Sequence, residues 1–145
     1  MGDRSAPEFI MVHATCVAHA GRAALIRGAA GRGKSGLALH LMALGAGLVA
    51  DDRTRLWRQG DQVFADAPAS IAGRIEARGV GILQVPPVGP QPLALVVDLD
   101  LDEQERLPPL RHEAILDVDL FCVRKSAFSH FPAAIMLYLA HGVVE

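Results

Sequence analysis

The apolar positions follow two rhythms. Short apolar and β-branched runs recur along most of the chain, and only two stretches repeat at helical spacing. Residues 9–18 read as a strand, Gly21-Arg22 as a turn, and residues 23–27 as a second strand that pairs back as a hairpin. Residues 28–33 form a glycine loop. Beyond it Leu37, Leu41 and Leu44 recur at helical spacing, with Leu39 and Met42 widening the stripe and Gly45 stopping it. Residues 48–50 make a short strand that delivers Asp51 and Asp52 at its end.

Residues 54–58 and 62–65 flank Gln59-Gly60-Asp61, a hairpin turn signal. Residues 68–78 predict a short helix or a loop, and residues 80–85 an extended segment. Pro86, Pro87, Pro90 and Pro92 exclude helix interior. Residues 93–97 read as a strand, 100–109 as a polar loop, and 114–123 as a single strand. Residues 132–141 read as a helix, with Ser129 as a cap and Pro132 tolerated in the first turn. Seven or eight strands and two helices result. Most connections are too short for crossover helices, so the fold class is α/β with a largely antiparallel or mixed sheet and few helices.

The length of 145 residues fits one domain, expected over residues 9–145, with residues 1–8 frayed. A composition 51% hydrophobic and 21% charged supports a packed core. The net charge of −2 supplies no general drive toward nucleic acid or an anionic membrane. No apolar run approaches the ~20 residues of a membrane helix, and no basic segment followed by an apolar core marks a signal peptide. The chain therefore reads as cytoplasmic. Cys16 and Cys122 lack metal-type or CxxC spacing and read as free thiols. Trp57 and Tyr138 read as packing residues.

The stretch Gly28, Ala29, Ala30, Gly31, Arg32, Gly33, Lys34 and Ser35 matches GxxxxGK[ST] between an apolar strand and an amphipathic helix. Glycines permit backbone angles that aim several N–H groups at one anion. The helix that starts there directs its positive end at the same point. Lys34 supplies a mobile charge for the β- and γ-phosphates, and Ser35 a hydroxyl for Mg²⁺. ATP and Mg²⁺ are the expected cofactors. A carboxylate must complete such a site, and two positions follow apolar runs: Asp51-Asp52, and Asp98 in the place of a Walker B strand. Spacing alone does not choose between them. One acid of an adjacent pair can serve a metal while the other accepts a proton, as transfer to a hydroxyl requires.

The order of motifs resembles the catalytic domain of the HPr kinase/phosphorylase family. His13-Ala14-Thr15 comes first, with the phosphate loop starting fifteen residues after His13. Leu48-Val49-Ala50-Asp51-Asp52-Arg53 follows. Ile75-Glu76-Ala77-Arg78-Gly79-Val80-Gly81-Ile82 then resembles a family signature of the form hExRGhGhh, with h hydrophobic. The resemblance implies a P-loop core related to phosphoenolpyruvate carboxykinase, ATP-dependent phosphorylation of a serine on the phosphocarrier HPr, the reverse phosphorolysis, and a hexamer. It implies that Asp51 is the proton acceptor and Asp52 its metal-side or loop-side partner. It further implies that Glu76 ligates metal beside Ser35, that Arg78 steadies phosphate charge, and that His13 is the titratable neighbour of the aspartates. Asp98 and Asp100 fall outside the pattern and are expected at the surface.

The chain departs from the family in three places. It resembles short forms without the extra N-terminal domain. His13-Ala14 replaces the common His-Gly. Leu120 to Ser126 keeps positive charge at Arg124 and Lys125 but not the PVxxGRN pattern associated with phosphorolysis and substrate contact. Two other functions fit the phosphate loop: a kinase of a small metabolite, and a non-catalytic nucleotide-binding regulator. The first lacks an arginine-rich lid segment, and the second is disfavoured by the intact set of chemical residues.

Overall fold

The computed structural model describes residues 8–144. Of the segment expected to fray, residues 1–7 lie outside the described residues. Among the described residues there are eleven strands: β1 Ile10–Val12, β2 Ala14–His19, β3 Arg22–Arg27, β4 Gly47–Ala50, β5 Thr54–Gln59, β6 Gln62–Asp66, β7 Arg74–Ala77, β8 Gly81–Gln84, β9 Gln91–Asp102, β10 Arg111–Ile115 and β11 Val118–Lys125. Two α-helices, α1 Lys34–Ala43 and α2 Phe131–His141, and a short 3₁₀ turn Ala69–Ile71 complete the described elements.

The large sheet runs β1-β5-β6-β9-β3-β2-β4, with β11 also on β9 and β10 outside β11. Its core is three parallel strands, β3, β9 and β11, while the remaining pairs are antiparallel. The sheet is mixed, as expected. The 12-residue strand β9 meets β6 through Gln91 and Pro92, then β3 and β11 from Leu93 onward. Sharing one strand among three partners curls the sheet. Strands β2 and β3 read as near-continuous apolar runs because both of their faces are covered. On one face α1 and α2 pack over Val17, Ile26, Leu95 and Val97. On the other, Cys16, Leu25 and Val96 meet Leu56, Val63, Ile115 and Leu120 from the outer strands.

Several sequence expectations are corrected. Residues 9–18 are two strands that part at His13, because β1 pairs with β5 while β2 pairs with β3 and β4. Residues 114–123 are not one strand but parts of the β10–β11 hairpin. Its two-residue turn places Leu116 and Asp117 at φ +52° and +63°, the doubly left-handed geometry that matches strand twist. The loop expected from residue 100 begins later, since Asp102 still pairs with Lys125. Residues 68–78 hold the 3₁₀ turn and then β7, which pairs with β8 as a separate ribbon. Ser129 does not cap α2; His130 occupies that position without a side-chain cap bond. Trp57 stacks on Phe64, as a packing residue should. Both cysteines are free thiols. No helix among the described residues is long and apolar enough to cross a membrane.

Candidate functional site

The glycine loop expected to hold phosphate is the connection from β3 to α1. Gly31 and Gly33 stand at φ +86° and +98°, angles that favour glycine. A Cβ built at Gly31, Gly33 or Gly36 would meet no protein atom within 4 Å. Open space therefore adjoins the loop at these three positions. Gly33 caps α1 without a side-chain bond, and the first turn carries no acid. The leading N–H groups of α1 are therefore left for an anion. The Lys34 ammonium donates to the carbonyl of Gly28 at 2.8 Å, across the mouth of the loop.

The loop is braced from behind by the end of β9. Arg32 donates twice to the carbonyl of Leu99, at 3.0 and 2.8 Å. Asp100 accepts the Ala29 N–H at 3.0 Å. Asp98 is mostly buried and faces Arg27 at 3.5 Å, while Arg27 also donates to Glu113 at 2.6 Å. The expectation of surface residues is thereby corrected for Asp98 and holds for Asp100, which is exposed. Asp98 is an internal ion-pair partner, and Asp100 anchors the loop backbone.

Strand β4 brings Asp51 under the first turn of α1. Asp51 is 9% exposed, and both of its oxygens are engaged. Oδ1 accepts the Ser35 hydroxyl at 2.7 Å and the Thr15 hydroxyl at 3.0 Å; Oδ2 accepts the Glu76 N–H at 3.0 Å. Thr15 also accepts the Asp52 N–H at 3.1 Å. Asp52 then takes φ +68°, turns away from the interior and is exposed. The two neighbouring carboxylates thus occupy different environments.

A cavity of about 430 Å³ gathers the chemistry. Its loop side is Ala30, Gly31, Gly33, Lys34 and Ser35, and its far side is Asp52, Glu76 and Arg78. In β7, Ile75 and Ala77 are buried while Glu76 alternates outward, the period-two pattern of a strand. Arg78 begins the turn closed by the Val80 N–H on the carbonyl of Ala77, with Gly79 at φ +87°. Asp51 is absent from the cavity lining. His13 is exposed at the bend between β1 and β2, and it too lies outside the lining. The pairings Val12 with Thr54 and Cys16 with Ala50 place it beside the Asp51–Arg53 turn.

Sequence reading assigned no role to Thr15, Asp100 or Arg32 as organisers of the site. Thr15 stood inside a recognised motif, and Asp100 stood three residues past the end of the strand expected over residues 93–97. Those were the available signals. Among the described residues, no group of three His, Cys, Asp or Glu side chains is arranged to hold a metal.

Residues 5–89 match a family model described as the HPr Serine kinase C-terminal domain. The chain is 41% identical over 75 residues to an HPr kinase/phosphorylase of Lactiplantibacillus plantarum, across 51% of this chain and 24% of that protein. It is 38% identical over 86 residues to an HPr kinase/phosphorylase of Bordetella pertussis, across 59% of this chain and 28% of that protein. The chain thus spans about a quarter of the length of the curated relatives it matches. The structure of the Hpr(Ser) kinase/phosphatase from Coxiella burnetii superposes with a TM-score of 0.73 at 26% identity, covering 88% of this chain and 91% of that one.

Proposed function

Since the chain belongs to the family of the HPr serine kinase C-terminal domain, we propose that it transfers the γ-phosphate of ATP to a serine of an HPr-type phosphocarrier protein. The observation that carries this reading is one cavity shared by the phosphate loop, Asp52, Glu76 and Arg78. A site for phosphoryl transfer needs an anion cradle, a metal-side oxygen and a proton acceptor within reach of one another.

In this reading the triphosphate rests on the open face of residues 28–35. Lys34 exchanges the Gly28 carbonyl for phosphate oxygens. Mg²⁺ fits the donor set, because the Ser35 hydroxyl and the Glu76 carboxylate are hard oxygens on the same cavity. With so few protein ligands, phosphate oxygens and water complete the shell, as this ion prefers. Bound there, the ion neutralises charge on the phosphoryl oxygens. Arg78 adds a second cation at the far wall.

The proton acceptor is reassigned. Sequence resemblance pointed to Asp51, but that carboxylate is buried and holds three donors. Asp52 is the acid that faces the cavity, so we give it the serine proton. Asp51 becomes the positioning residue that fixes Ser35. In the reverse phosphorolysis Asp52 returns the proton to the leaving serine. His13 beside the turn is the neighbour of the pair in this reading. Cytoplasmic location and a hexameric assembly belong to this proposal on the strength of the family alone.

The test is an incubation with γ-labelled ATP, Mg²⁺ and an HPr-type carrier. Label on a carrier serine supports the reading, and none on any such carrier while ATP binds contradicts it.

A further inference from the structure

A second cleft, of about 520 Å³, lies on the neighbouring flank of α1. Its walls are apolar and aromatic: Leu37, Leu99, Phe128, Phe131 and Pro132. We infer that this cleft receives the aromatic base and ribose of the nucleotide whose phosphates occupy residues 28–35. The inference rests on the proposed nucleotide site and deepens it.

Three observations carry it. The first is continuity. Gly33 and Gly36 border both the phosphate cavity and this cleft. Neither bears a side chain, and a Cβ at Gly36 would meet nothing within 4 Å. The rim between the two spaces is therefore bare backbone that an extended ligand can cross.

The second is direction. Ser35 and Leu39 line only the cavity that holds Asp52 and Glu76, while Leu37 and His40 line only the cleft. Successive helical positions are about 100° apart, so the two spaces lie on adjacent faces of one helix end. The reacting phosphate must point toward Asp52. The nucleoside then leaves from the opposite end of the triphosphate, over Gly36.

The third is topology and chemistry. Strands β3, β9 and β11 are parallel, and ligands of such sheets sit beyond the carboxyl ends of the strands. The loop after β3 and residues 126–130 after β11 flank this cleft. Phe128 is 67% exposed and held by stacking on His130, with ring centroids 5.3 Å apart and planes 11° from parallel. A braced, exposed ring suits a flat heterocycle. Lys125 and Ser126 at the same wall offer donors to ring nitrogens or ribose hydroxyls.

The test compares ATP with inorganic tripolyphosphate by calorimetry, in Mg²⁺, on the wild-type chain and on Phe128→Ala. The expected result is ATP binding weakened about tenfold by the substitution, with tripolyphosphate binding unchanged. ATP affinity within twofold of wild type overturns the inference, as does an equal loss for both ligands. If the wild-type chain binds neither ligand, the phosphate-loop reading itself fails and the base cleft fails with it. Phe128→Trp supplies an independent readout: ATP should quench the added indole and tripolyphosphate should not. Quenching by both ligands, or by neither, contradicts the assignment.

Discussion

The Ser35 hydroxyl and Asp51 Oδ1 are joined by a 2.7 Å hydrogen bond that ties the first turn of α1 to the end of β4. Thr15 from β2 and the Glu76 N–H from β7 donate to the same carboxylate. Asp51 is thus the meeting point of four separate segments. The glycine loop is flexible in principle, but its exit is set by a buried acid.

Replacing Asp51 by asparagine keeps the shape and changes the hydrogen-bond inventory. One amide oxygen can still accept from Ser35 and Thr15. The NH₂ group then faces the Glu76 N–H, donor against donor. Asp51→Asn should lower stability by about 1–3 kcal/mol and weaken Mg²⁺–ATP binding together, measured by urea unfolding and calorimetry. An unchanged midpoint with unchanged binding would show that the hub is dispensable.

Glu76→Gln separates metal from nucleotide. The backbone N–H that binds Asp51 is retained, and the outward carboxylate on the cavity is lost. The Mg²⁺ concentration for half-maximal ATP binding should rise roughly tenfold, the scale of one charge-assisted contact. Tripolyphosphate binding without Mg²⁺ should not fall. An unaltered Mg²⁺ requirement removes Glu76 from the metal side.

The strand–loop–helix around residues 28–35 was legible because its information is contiguous: glycines, lysine and serine in eight adjacent residues. The pairing of that loop with Asp51-Asp52 rather than Asp98 came from motif order. Which aspartate faces the cavity was not legible. Adjacent carboxylates look equivalent in sequence, and the distinction arises from the left-handed φ of +68° at Asp52. The role of Thr15 depends on a contact between residues 36 apart in sequence. The β10–β11 hairpin stayed hidden because Leu116-Asp117 makes a turn without glycine or asparagine. The strand break at His13 follows from a change of pairing partner, which no local pattern encodes.

Gly73 links the 3₁₀ turn to β7 and so sets the strand that carries Glu76. It stands at φ +79°, and an added Cβ would collide with the carbonyl oxygen of Val85. That carbonyl is part of the backbone just beyond β8, whose Val85 N–H donates to the Gly73 carbonyl at 2.7 Å. Gly73→Ala combines a left-handed alanine with a backbone clash. A loss of at least about 2 kcal/mol in unfolding free energy is expected, and a midpoint equal to wild type would refute the constraint.

Burial pushes the thiols of Cys16 and Cys122 up from their ordinary range; Asp66 adds to the effect at Cys16, while Arg27 opposes it at Cys122 without reversing it. The reactive thiolate is therefore scarce near neutral pH in the folded chain. At pH 8, iodoacetamide should leave both thiols largely unmodified in the native protein, with Cys122 reacting first, and should modify both after denaturation. Rapid native labelling of Cys16 would contradict its place in the core.

In the proposed reaction the cavity beside Gly28 to Ser35 carries out transfer with Asp52 as its proton acceptor. Its most direct measurement is the single-turnover rate of label transfer from γ-labelled ATP to a serine of an HPr-type carrier, wild type against Asp52→Asn, at saturating ATP and Mg²⁺. The predicted result is a rate lower by about 10²–10⁴ in the variant, with ATP affinity within twofold of wild type. Transfer by Asp52→Asn at the wild-type rate would contradict it.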